Sequence, residues 1–231
     1  MIIDVMNSCD DFNSYRAARV KSLFNAEKGN SFELKVNLPV EDSDWQIGLI
    51  VGPSGSGKTT IGRNLFGGGK IVDLYSGWPD NMPIVEAIAP GCDFDIVTGS
   101  LANVGLGDVP AWLRPFKALS NGQQFRAGLA RLICEGGDDV IVDEFTSVID
   151  RQIAKIGAMA FSKGWRRNKG KRVVLLSCHY DIVEWLQPDW VLDTGTGELK
   201  KDSSLSQDRS SSWKLGRSIK LTGTILNHII I

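Results

Sequence analysis

The 231-residue chain is 42% hydrophobic, enough for one large core or one core with a small satellite. Its 26 basic and 27 acidic side chains leave a net charge of −1, so no global field points to a nucleic-acid or membrane partner. No apolar run reaches the ~20 residues of a membrane-spanning helix, and the Met1-Ile2-Ile3-Asp4 start lacks the basic opening of a secretory signal. Cys9, Cys92, Cys134 and Cys178 are scattered, with no Cys-x-x-Cys pair, which predicts reduced, mostly buried thiols. A cytoplasmic chain that does not itself span a membrane is the expectation.

In chain order, Ser8–Ala26 reads as an amphipathic helix, with Asp10 and Asp11 able to cap it and Val20, Leu23 and Phe24 on one face. Phe32, Leu34, Val36 and Leu38 alternate with polar residues, the period of a half-buried strand ended by Pro39. Ile47–Val51 is a short apolar run consistent with a buried parallel strand that feeds a loop at Gly52. A helix is expected over Thr59–Phe66, closed by three glycines. Residues 70–118 carry Gly and Pro at many points and show no clear period. Helices follow over Ser120–Cys134 and Arg151–Trp165, with buried strands at Val140–Val142 and Val173–Leu176. This alternation predicts an α/β fold with a largely parallel sheet flanked by helices and an N-terminal antiparallel strand. From Lys200 the chain turns polar and serine-rich, like a linker, before the apolar Leu221–Ile231. No internal repeat is visible.

Gly52-Pro53-Ser54-Gly55-Ser56-Gly57-Lys58-Thr59, followed by Thr60, is the phosphate-loop (Walker A) pattern between a strand and a helix. Its glycines let backbone N–H groups turn toward phosphate oxygens. Lys58 is expected to reach the β- and γ-phosphates of ATP, and the Thr59 hydroxyl to ligate Mg²⁺. Asp143-Glu144 end an apolar strand, as a Walker B pair does, at the sheet edge where ligands bind in open α/β folds. Asp143 is expected to hold Mg²⁺ and Glu144 to orient the attacking water.

Leu119-Ser120-Asn121-Gly122-Gln123 resembles the signature motif of ATP-binding cassette (ABC) ATPases, and Arg126 and Ala130-Arg131 continue that pattern. Ser147-Val148-Ile149-Asp150 resembles the family's D-loop, and His179 its switch histidine. The resemblance covers roughly residues 30 to 195. It implies a P-loop ATPase domain over residues 1–199 with a reduced helical subdomain near 76–118, leaving 200–231 as a linker and C-terminal segment. It also implies a head-to-tail homodimer that traps two ATP molecules. Ser120, Gly122 and Gln123 of one subunit would then meet the γ-phosphate held by the other subunit's Lys58, with His179 contacting that phosphate and Asp150 organising the interface.

One family feature is absent: no glutamine lies between Thr59 and Gly122, where the resemblance expects a Q-loop. Trp78 or Asp80 is the expected replacement. The missing glutamine and the short middle region favour a soluble ATPase switch acting with a protein or nucleic-acid partner. Lys163, Arg166, Arg167, Lys169, Lys171 and Arg172 form a basic cluster that could grip phosphates, though such a cluster is more often a solvated helix end and loop. Two alternatives stay open: the nucleotide-binding subunit of a membrane transporter, and a weakly hydrolysing nucleotide-gated module.

Overall fold

The computed structural model describes residues 2–8, 14–24, 31–38, 45–68 and 71–201. At the N-terminal end β1 (Ile2–Ser8) pairs antiparallel with β2 (Ser31–Asn37) in a sheet of two strands, Ile2 opposite Asn37 and Ser8 opposite Ser31. The alternation predicted β2. The expected helix is shorter than its pattern: α1 occupies Tyr15–Phe24, and Ser8 belongs to the strand. Pairing along the whole of β1 with a distant strand outweighs the local helical preference of its last residue. Asp10, Asp11 and the side chain of Phe24 lie outside the described residues, and Val20 and Leu23 are exposed where the pattern predicted packing.

The main sheet then assembles in chain order. β3 (Ile47–Val51) leads into α2 (Lys58–Asn64) and the two-residue β4 (Ile71–Val72). Three helices follow: α3 (Ile84–Ala87), α4 (Phe94–Asn103) and α5 (Val109–Trp112). Next come α6 (Asn121–Glu135), β5 (Asp139–Val142) and α7 (Arg151–Trp165). The fold closes with β6 (Arg172–Ser177), α8 (Ile182–Leu186), β7 (Trp190–Asp193) and β8 (Glu198–Lys201). Two of the three α-helices between β4 and α6 are only four residues long.

Six strands run in the order β4-β5-β6-β3-β7-β8, parallel except for β8. Because helices cover both faces, the strands are continuous apolar runs rather than alternating ones. Ile47, Leu49, Val51, Val140, Val142, Val173 and Leu175 share one core with Phe125, Phe145, Phe161 and Trp165 of the α6–α7 side. Ile50, Ile141, Val174, Leu176 and Leu192 share the other with Ile61 and Leu65, Val36 and Leu38, Trp45 and Trp190. Each fully buried residue of this kind contributes roughly 1.5–3 kcal/mol. The strand order brings the ends of β3, β5 and β6 side by side, with the phosphate loop, Asp143-Glu144 and Cys178-His179 at one edge.

Candidate functional site: a phosphate cavity at the sheet edge

The phosphate loop is built around a buried hydroxyl pair. Ser56 Oγ lies 2.5 Å from Thr194 Oγ1, and Thr194 also donates to the Val51 carbonyl at 3.1 Å. The loop is thereby tied to the chain just beyond β7. A side chain at Gly52 would collide with that same Thr194 hydroxyl, and its φ of +153° disfavours any other residue. Sequence reasoning missed Thr194, since nothing local marks a partner 138 residues away. Lys58 Nζ donates to the carbonyls of Gly52 at 2.9 Å and Pro53 at 2.7 Å, which holds the ammonium over the loop. Gly57 caps α2 in the left-handed region (φ 80°) with no side-chain cap bond.

The Thr59 hydroxyl donates to Asp143 Oδ2 at 2.8 Å, and the Glu144 N–H donates to Asp143 Oδ1 at 2.8 Å. Two hard oxygen ligands thus meet where α2 begins and β5 ends, the donor chemistry that Mg²⁺ takes. Glu144 is exposed and adopts φ 51°, a left-handed backbone anchored on its far side by the Phe145 N–H bond to the Leu176 carbonyl. Ser54, Gly55, Gly57, Lys58, Thr59, Thr60, Asp143, Glu144, Ser147, Leu176, Ser177 and Cys178 line a cavity of about 370 Å³. Gly52, Pro53 and Ser56 support it from behind without lining it. His179, the residue after Cys178, is half-buried. Burial lowers its pKa below the usual 6.5, and the Arg151 charge lowers it further, against an opposing pull from Asp181.

The signature segment is elsewhere. Ser120, Gly122 and Gln123 are not among the residues lining the cavity. Ser120 is the exposed N-cap of α6: its Oγ accepts from the Gln123 N–H at 3.4 Å, while Gln123 Oε1 accepts from the Ser120 N–H at 3.0 Å. Gln123 Nε2 also reaches Asp108 at 3.2 Å, so its side chain serves the helix start. Gly122 is buried against Ile153 of α7, where an added Cβ would come within 2.8 Å of the isoleucine. In the D-loop segment, Val148 is exposed and Asp150 caps α7 by accepting from the Gln152 N–H at 2.9 Å.

Neither Trp78 nor Asp80, the expected replacements for the missing glutamine, lines the cavities at this edge. Trp78 stacks on Phe116 at 4.3 Å and donates to the Leu74 carbonyl, and Asp80 pairs with Lys117. The residue brought to the site is Asp73. Val72 pairs in parallel with Val142, so the chain leaves β4 at Asp73 alongside the point where it leaves β5 at Asp143. Asp73, Tyr75, Asp143, Glu144 and Val148 line a second cavity of about 400 Å³. A strand of two residues gives no period to read, so only its pairing with β5 reveals the position.

The basic cluster is partly consumed by the fold. Arg166 bonds Asp189 and the Gln187 carbonyl, and Arg172 pairs with Asp139 while lying over Trp45 and Phe66. Among the described thiols, Cys92 and Cys178 are exposed where burial was expected, because both sit on loops rather than on core-facing helix or strand positions, and Cys134 is half-buried; Cys9 lies outside the described residues.

No protein-family model matches the chain. Among characterised proteins, it is 26% identical over 208 residues to the energy-coupling factor transporter ATP-binding protein EcfA1 of Levilactobacillus brevis, covering 74% of this chain and 72% of that protein. It is also 26% identical over 213 residues to the phosphonates import ATP-binding protein PhnC 1 of a Synechococcus strain, covering 71% and 79%. Among solved structures, the dimeric bacterial ABC transporter cassette MJ0796 superposes with a TM-score of 0.54 at 16% identity, over 87% of this chain and 99% of that one. The same cassette in a post-hydrolysis state with ADP and Pi gives 0.56 at 14% identity, over the same shares. Motif order, sheet topology and these relatives agree: the chain has the fold of an ATP-binding cassette and is similar to ATPases of that family.

Proposed function

We propose that the chain hydrolyses Mg·ATP as a head-to-tail homodimer and is the nucleotide-binding subunit of a transporter. The observation that carries the site assignment is the 2.8 Å contact between the Thr59 hydroxyl and Asp143, which joins the phosphate loop to the carboxylate strand. In this reading the loop from Gly52 to Thr60 cradles the phosphates and Lys58 turns from the loop carbonyls to the β- and γ-oxygens. Thr59 and Asp143 hold Mg²⁺, which neutralises phosphate charge when bound. Glu144 orients the attacking water, and His179 donates to the γ-phosphate. Ser120 and the backbone at Gly122 close the site from the partner subunit, which accounts for their separation from the cavity of their own chain.

The transporter assignment draws on the relatives, which are named as transporter ATP-binding proteins. No described helix is long and apolar enough to cross a membrane, so transport in this reading requires a separate membrane component. The soluble-switch reading leaned on the missing glutamine, and Asp73 at the end of β4 weakens that argument by supplying a polar side chain at the same edge. The membrane component would be identified by copurification of this chain with a membrane protein.

The first experiment is the solution mass of Glu144→Gln with and without Mg·ATP. The expected outcome is an ATP-dependent shift from monomer to dimer, with hydrolysis reduced on the order of 10²-fold or more. A monomer in both conditions, or wild-type hydrolysis, overturns the reading.

A further inference from the structure

Thr146 stands out on its backbone alone. It is β-branched, 1% exposed, and held at φ 68°, a conformation such residues adopt only when their surroundings enforce it. Its hydroxyl has two partners among the described residues. One is Arg151, whose Nη1 donates to Thr146 Oγ1 at 3.4 Å. The other is His179, whose Nδ1 lies 3.4 Å from the same oxygen.

The direction of this chain follows from what each group can do. A guanidinium has donors and no acceptor, so Thr146 Oγ1 accepts from Arg151. The hydroxyl proton, buried, is satisfied only if it points at Nδ1 of His179, since the other arrangement leaves a buried donor unpaired. Nδ1 is then the unprotonated nitrogen, and Nε2 carries the proton. The Cys178 thiol, 3.9 Å from Nδ1, approaches the same nitrogen as a second weak donor.

Arg151 is held for this task by two side chains. Its Nε donates to Asp181 Oδ2 at 3.0 Å and its Nη2 to Asp181 Oδ1, and its guanidinium lies 4.9 Å from the Trp185 ring centroid. It is also the first residue of α7, where a positive charge meets the positive end of the helix dipole. Helix stability therefore does not explain an arginine here.

We propose that Thr146 and Arg151 are positioning residues that hold His179 in the tautomer with its proton on Nε2. This rests on the reading of His179 as a donor to the γ-phosphate: the relay fixes which ring nitrogen can donate, and keeps it a donor throughout the cycle.

The test uses the full chain labelled with ¹⁵N-histidine in a His228→Gln background, which leaves His179 as the only histidine of the two. The expected result is a wild-type ring with Nε2 protonated and Nδ1 bare. Thr146→Val and Arg151→Ala should each give a mixture of tautomers, with kcat lower on the order of 10-fold and the KM for ATP unchanged. Thr146→Ser, which keeps the hydroxyl, should restore both. Wild-type protonation on Nδ1, or an unchanged tautomer ratio in Thr146→Val, overturns the proposal. The parent reading fails separately: wild-type hydrolysis by Glu144→Gln would sink it, whereas the ring spectrum is read without turnover.

Discussion

His179 shows how one side chain can be tuned by three others. Burial and the Arg151 guanidinium both disfavour its charged form, and Asp181 only partly offsets them. Its folded pKa therefore lies below the unfolded 6.5, and between the two values the unfolded chain binds more protons. The stability linked to this group is complete above pH 6.5 and falls as pH drops toward the lowered value. Because the ring is only half-buried, the effect on stability is small and the effect on activity is the better readout. Hydrolysis should stay level as pH falls from 8 to the ordinary histidine value of about 6.5, and decline only below it. Arg151→Ala removes a cation and releases Asp181, both of which raise the histidine pKa. Its acid limb should move to higher pH in a kcat profile; an acid limb at or below the wild-type position would show that Arg151 does not act on the ring.

At the scale of elements, α6 and its start separate stability from chemistry. The capping box between Ser120 and Gln123 satisfies N–H groups that the first turn of any helix leaves open. Aspartate caps as well as serine does, whereas losing the cap costs roughly 1 kcal/mol. Ser120→Asp should thus melt within a few tenths of a kcal/mol of wild type. In the proposed composite site, however, its carboxylate would face a phosphate across the subunit boundary and repel it. The expected outcome is an unchanged urea midpoint with ATP-driven dimerisation lost. A variant that still dimerises and hydrolyses normally would place the signature helix away from the nucleotide.

For the whole molecule, the proposed head-to-tail arrangement makes a prediction that no monomeric ATPase shares. Lys58→Ala removes the cation from one side of each site and Ser120→Arg blocks the other. Each alone should be inactive. Mixed together, heterodimers regain one site with an intact Lys58 and an intact Ser120, so hydrolysis should reappear in the mixture. Continued inactivity at all ratios would argue that each subunit completes its own site, or that both sites must be whole.

Legibility in the sequence followed the range of the interactions. The phosphate loop, Asp143-Glu144 and α7 were readable because each is a contiguous pattern, and the Arg151–Trp165 boundaries match to the residue. What escaped was fixed by pairing across the chain. β1 exists through its ladder with β2, Asp73 is placed by β4 lying against β5, and Thr194 matters through a hydroxyl contact to the loop. Trp78 and Asp80 were plausible by position and are instead used up in packing and an ion pair within the helical region.

Gly48 has no part in the chemistry, yet the same long-range logic reaches it. It pairs with Trp190 of β7, whose indole occupies the space that any side chain at position 48 would need. β7 carries the chain on to Thr194, and Thr194 holds Ser56 of the phosphate loop. A lesion at Gly48 would wedge β3 from β7 and surface as weakened nucleotide affinity. A genetic screen scoring only that affinity would draw the border of the active site around a glycine buried in the middle of the sheet.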